Sequence, residues 1–163
     1  MITYKNILFC TDFSENSRAA LPHAVDLARK YGAFLHLVHV YQEAGEVAEF
    51  EISSNLKMDW VRVAHLLGTE MEKKLQSLCA EVTREIRACQ AKMLRGKSST
   101  EIIRYARETG VDLIVMASHG LTGLEHALFG STAERVLRES TCPVFIVKIP
   151  KTGGEDKKVL ESG

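Results

Sequence analysis

Short apolar runs alternate along the chain with longer stretches in which apolar residues recur every three or four positions. That is the signature of strands alternating with helices. "NILFC" (Asn6–Cys10) is an apolar run ending in "TDFSENS", where Ser14 suits a helix N-cap and Glu15 puts negative charge in the first turn. The helix that follows carries Ala20, Ala24, Leu27 and Ala28 on one face and stops at Gly32, with Pro22 an interior cost that favours a kink. "AFLHLVHV" (residues 33–40) reads as a second strand, and residues 41–55 as an acidic, unpatterned loop. Leu67, Met71, Leu75, Leu78 and Val82 then mark the apolar stripe of a long crossover helix, read as core packing.

"IRACQAKML" is a weaker strand candidate, interrupted by Arg87, Gln90 and Lys92 as an edge strand would be. "RGKSSTEIIRYARETG" predicts a helix with a capping box, Ser98 with Glu101 three residues on, and Gly110 as its stop. "VDLIVMAS" is the most apolar strand and is expected to be central. "STAERVLRES" is a short helix and "PVFIVKI" a fifth strand. The pattern predicts an α/β fold: a doubly wound, five-stranded parallel sheet with helices on both faces.

With 163 residues, the chain suits one domain, residues 1–149, followed by a polar and mobile tail, residues 150–163. Lys plus Arg number 21 and Asp plus Glu number 21, so no net basic field gathers nucleic acid or anionic lipid, and neither is expected as a partner. The apolar runs fall far short of the roughly 18 to 20 residues that span a bilayer. "MITYKN" lacks signal-peptide character, and the expected location is the cytoplasm. Cys10, Cys79, Cys89 and Cys142 include no C-x-x-C pair and are read as reduced thiols.

The chemistry concentrates where "LIVMASHGLTGLEHALFGSTAERVL" passes from strand to helix through Gly120, Gly123 and Gly130, with hydroxyls at Ser131 and Thr132. Doubly wound sheets bind ligands beyond the carboxyl ends of their strands, and a helix N-terminus offers unpaired N–H groups and about half a positive charge to a phosphate. The segment after strand one, "TDFS", places Asp12 across the same crevice if strands one and four are neighbours. Asp12 has a competing reading as support for the first helix. His36 and His39 point to opposite faces of a strand and cannot chelate one ion together, and no metal site is expected. Ser118, His119 and Asp12 lack the G-x-S-x-G context of a nucleophile set, and there is no G-x-x-x-x-G-K-[ST] loop. No catalytic residue is assigned.

Gly120, nine intervening residues, and Gly130 with Ser131 resemble the second half of the nucleotide-binding pattern of the universal stress protein family. Ala117 stands where that pattern has its first glycine. "ILFCTDFSENS", "LHLVHV", "GVDLIVMASHG" and "GSTAERVLRESTCPVFIVK" are similar to family segments in family order, over residues 3–149. The resemblance implies a Rossmann-like fold of the adenine nucleotide alpha hydrolase-like kind, with ATP as ligand, with or without Mg. It implies Asp12 on the ribose or adenine side with Thr11 beside it, and Val40 and Met116 lining the adenine pocket. Ala117, Gly120, Gly130, Ser131 and Thr132 would cradle ribose and phosphates. It also implies a homodimer through the fifth strand. The function expected is a nucleotide-dependent stress-response module rather than a fast catalyst. The alternatives are a slow ATPase of the same fold and a dimeric interaction protein without nucleotide.

Overall fold

The computed structural model describes residues 1–42, 60–120 and 129–148. Nine elements follow one another: β1 (Asn6–Cys10), α1 (Glu15–Tyr31), β2 (Phe34–Tyr41), α2 (Trp60–Val82), β3 (Cys89–Arg95), α3 (Ser98–Glu108), β4 (Leu113–Ala117), α4 (Ser131–Glu139) and β5 (Val144–Val147). The strands form one parallel sheet in the order β3-β2-β1-β4-β5. The chain winds outward from β1 to β3, then returns across β1 to lay down β4 on its other side. The strand order therefore reverses between β1 and β4, whose registers align Phe9 with Val115.

Period-two alternation divides the core in two. Ile7, Phe9, Leu35, Leu37, Leu113 and Val115 face α1 and α2. Leu8, Val38, Ile114 and Met116 face the other way, onto Ile102, Tyr105 and Val136 of α3 and α4. Every residue of β4 is buried, in keeping with its apolar run, and β3 lies at a sheet edge as its interrupted pattern predicts. Among the described residues no helix is long and apolar enough to cross a membrane. The tail after residue 148 lies outside the described residues, as does most of the acidic loop.

Local signals account for both ends of α1 but not for the start of α3. Ser14 caps α1, its Oγ accepting from the N–H of Ser17 at 3.2 Å, and Gly32 ends the helix at φ 62, a left-handed conformation that glycine adopts without steric cost. The capping box at Ser98 does not form: Lys97 is the N-cap, with no side-chain bond, and Ser98 is the first helical residue. The Glu101 carboxylate is drawn forward to the Arg104 guanidinium and packs over Gly96, which leaves the helix start bare. The α2 stripe is also only half core. Leu75 and Val82 are buried, but Leu67 is 57 % exposed beside Leu66 at 58 %. A helix of 23 residues is about 34 Å long and the seven-residue β3 about 23 Å, so its first turns overhang the sheet.

The two histidines of β2 diverge as alternation requires. His39 Nδ1 lies 2.8 Å from the Thr11 carbonyl, with its ring against Phe13, whereas His36 faces α3 and its Nδ1 lies 3.0 Å from the Tyr105 hydroxyl. Burial lowers the His36 pKa below its ordinary 6.5, so the imidazole is neutral in the native state. Unfolding then takes up a proton in the window just below pH 6.5, and stability falls as pH drops through that window. Part of the fall in thermal midpoint between pH 7 and pH 5 is expected to vanish in His36→Gln; an unchanged pH slope would assign acid sensitivity to other groups.

Candidate functional site

The end of β1 and the end of β4 lie side by side with no element between them, and the crevice opens there. β1 delivers Cys10, Thr11 and Asp12; β4 delivers Ala117 and then Ser118, His119 and Gly120. The loop after Gly120 returns at Gly130, whose N–H donates to the Ser118 carbonyl at 2.8 Å. This bond closes the loop at its base and starts α4 at the crevice. Gly130 is the α4 N-cap and makes no side-chain cap, so the first-turn N–H groups have no partner within the helix.

The cavity measures about 540 Å³, enough for a mononucleotide-sized molecule. Val40 at the end of β2 and Met116 on β4 contribute apolar wall, joined by Val38, Ile102 and Phe129. Thr11 and Asp12 line it from the end of β1, Ala117 and Gly120 from the end of β4, and Gly130, Ser131 and Thr132 from the start of α4. All nine residues nominated from the sequence line this one cavity.

Their surroundings refine what each can do. The Thr11 hydroxyl is buried, accepting from the Phe13 N–H at 3.0 Å and lying 3.1 Å from Ser17 Oγ, so it shapes the turn. Asp12 supports α1 and lines the crevice at once. Oδ1 accepts from the Ser14 N–H at 3.0 Å and so supports the entry to α1, while Oδ2 faces Gly120. Ala117 ends β4, paired with Val147, and its φ lies outside the left-handed region, so alanine is unstrained there. Burial, reinforced by nearby Cys142, pushes the Cys10 thiol up to about 12 and keeps it protonated at neutral pH, which removes it as a nucleophile. Ser118 Oγ lies 3.1 Å from His119 Nδ1, but with Ser118 only 3 % exposed the pair anchors the loop to the sheet.

Several lining residues escaped the sequence reading. Ser98 and Ile102 come from α3, Ser17 from α1 and Phe129 from the returning loop. None belongs to a local motif, and only packing brings them together. For Ser98 a signal was present in "GKSS", a strand-to-helix turn with two hydroxyls, but it was assigned to capping. Among the described residues, no group of three His, Cys, Asp or Glu side chains is placed to hold a metal ion.

Residues 3–148 match the model of the Universal stress protein family. Universal stress protein MJ0531 of Methanocaldococcus jannaschii is 36% identical over 151 residues, 91% of this chain and 84% of that protein. The solved structure of MJ0577 from the same organism superposes with a TM-score of 0.79 at 31% identity, covering 93% of this chain and all of that one. A universal stress protein from Archaeoglobus fulgidus in complex with dAMP shares the fold at a TM-score of 0.60 and 19% identity, covering 90% of this chain and 98% of that one.

Proposed function

The chain belongs to the universal stress protein family, and on that premise we propose that its crevice binds an adenine nucleotide, ATP in particular, and that occupancy of the site is its signal. The observation that carries this reading is the convergence of all nine nominated residues on one cavity at the strand-order reversal. A flat, apolar base fits between Val40, Met116 and Ile102; ribose hydroxyls fit the Asp12 carboxylate; phosphates fit the bare N-terminus of α4, where Ser131 and Thr132 add hydroxyls. The dAMP complex of the Archaeoglobus relative is in keeping with this. The groups nominated here bind the ground state of a phosphate chain and its transition state alike, which favours a held ligand over fast turnover. The protein so read is a cytoplasmic stress-response module.

Calorimetric titration with ATP, with and without Mg, tests this directly. Thermal melting is the second readout. Ligand at a hundredfold its Kd stabilises by about 2.7 kcal/mol, which raises the midpoint of a domain this size by roughly 5 to 10 °C. No heat and no shift would leave the interaction-only reading in its place.

The homodimer belongs to the same proposal. β5 is a sheet edge with unpaired backbone groups, and Phe145 on it is 43 % exposed with its ring 6.1 Å from that of His23. Two copies paired along β5 would cover both features. Sedimentation at micromolar concentration is expected to show a dimer, and Phe145→Asp a shift towards monomer; a wild-type monomer would remove the dimer from the proposal.

A further inference from the structure

Away from the crevice, where α2 hands over to the edge strand β3, two thiols face each other. Cys79 lies in the last turn of α2 and Cys89 opens β3, and the Cys79 thiol lies 2.9 Å from the Cys89 sulfur. Regular structure on both sides holds them there. The Cys79 carbonyl accepts from the N–H of Thr83 at 2.9 Å and from its hydroxyl at 2.6 Å, which fixes the end of the helix. Cys89 is in register with Leu35, whose N–H donates to the Ala88 carbonyl at 3.1 Å. The turn between the two elements is tight, the N–H groups of Glu85 and Ile86 donating to the Val82 carbonyl at 2.9 and 3.2 Å. Alternation along β3 turns Cys89, Ala91 and Met93 towards α2, where they pack on the cluster that contains Cys79. Cys79 is buried and Cys89 half-buried, so a small solute reaches the pair from the Cys89 side.

We infer that Cys79 and Cys89 form a redox-modification site, a dithiol that hydrogen peroxide oxidises to a disulfide and a thiol reductant restores, fastening α2 to β3 while oxidised. A sulfur–sulfur bond is about 2.05 Å long, so about 0.9 Å of further approach closes it. In the first step the Cys89 sulfur, as thiolate, attacks one oxygen of the peroxide; the O–O bond breaks, Cys89 becomes a sulfenic acid, and one water leaves with the thiol proton. In the second the Cys79 sulfur attacks the Cys89 sulfur; the S–O bond breaks and a second water leaves with the Cys79 proton. Two electrons pass from the sulfurs to the peroxide. Burial, and then the hydrogen bond from Cys79, raises the Cys89 pKa above its ordinary 9.0, so thiolate is scarce at neutral pH and the first step quickens as pH rises. The second step needs no rearrangement, because the resolving thiol is already in contact. Both residues lie at the amino end of β3, whereas the crevice opens at the carboxyl ends of the strands. The inference is therefore independent of what the crevice binds.

The test is exposure of the full chain, reduced and freed of reductant, to hydrogen peroxide at neutral and mildly alkaline pH, followed by intact mass and peptide mapping. Wild type is expected to lose about 2 Da, the mass of the two thiol hydrogens, faster at the higher pH. Half of its four thiols should resist alkylation, one crosslinked peptide should join Cys79 to Cys89, and dithiothreitol should reverse both changes. Cys89→Ser should abolish the mass loss. Cys79→Ala removes the resolving thiol, so Cys89 should stop at the sulfenic acid and take up a dimedone label; Cys89→Ser, at the half-buried position, keeps the test decisive if Cys79→Ala does not fold. The oxidised chain is expected to melt roughly 3 to 8 °C above the reduced one, because the closed loop restricts the unfolded chain; an unchanged or lower midpoint would overturn the fastening of α2. A crosslink joining Cys10 to Cys142 or one chain to another, or oxygen added to Cys89 of wild type with no crosslink, would overturn the site itself.

Discussion

Gly120→Ala is expected to lower the thermal midpoint by roughly 3 to 10 °C and to weaken ATP binding about tenfold or more, although it adds a single methyl group. A Cβ at position 120 would stand 2.2 Å from Asp12 Oδ2 and 3.2 Å from its Cγ, well inside contact distance. Glycine is present because the carboxylate occupies the space of a side chain; the backbone there is not left-handed. The Asp12 side chain must therefore turn away, and it does not turn freely. Its Oδ1 accepts from the Ser14 N–H, and the intervening Phe13 has φ 61, a strained value for a residue with a side chain. Breaking that bond loosens the entry to α1, at a cost of about 1 to 3 kcal/mol, and takes the carboxylate from the crevice lip. The double variant Gly120→Ala with Asp12→Ala checks the mechanism. With the carboxylate gone the methyl has room, so the double variant should be more stable than the sum of the single effects implies, with a coupling of at least about 0.5 kcal/mol. Strict additivity in denaturant unfolding would place the damage elsewhere.

What could be read from the sequence follows the range of the interactions involved. The five strands and four helices were legible because each apolar run is bounded by its own stop signal, as at Ser14, Gly32 and Gly110, and because a parallel sheet buried on both faces needs continuous runs such as "LIVMA". The β1 and β4 lips of the crevice were legible for a related reason: Asp12, Ala117, Gly120 and Gly130 lie within a few residues of strand ends, where ligands collect. The α3 side was not. Ser98 and Ile102 enter the site only because α3 packs against α4. The capping-box motif misled there because Glu101 had a better partner in Arg104 than in the helix start. Leu67 fits the helical stripe but lies on turns that overhang the sheet, a consequence of the relative lengths of α2 and β3 that periodicity does not encode. The close approach of Asp12 to Gly120 was equally invisible, since the two lie on different strand ends, far apart in sequence.

Gly130→Val separates ligand from fold in the way Gly120 cannot, and is expected to reduce ATP affinity by about a hundredfold with little loss of stability. A Cβ at position 130 would meet nothing nearer than 3.6 Å, the Cα of His119 and the carbonyl oxygen of Ser118. The backbone there, at φ −69 and ψ 154, is extended and suits a branched residue, and the N–H keeps its bond to Ser118. Valine is a poorer N-cap than glycine, which sets a stability cost within about 1 kcal/mol. The added methyl groups stand at the start of α4, where a phosphate must come close enough to accept from the N–H groups beyond Gly130. Hydrogen bonds to a charged group contribute about 1.5 to 3 kcal/mol each, so losing two corresponds to a factor of about a hundred or more. Ser131→Ala, which deletes one hydroxyl and leaves the backbone donors, should cost only about 1 to 2 kcal/mol of binding. The order expected by calorimetry is therefore wild type, Ser131→Ala, then Gly130→Val, with all three proteins melting within a few degrees of one another in the absence of nucleotide. A Gly130→Val protein that binds ATP as wild type does would mean that the phosphates do not lie at α4, and the crevice would need a different ligand.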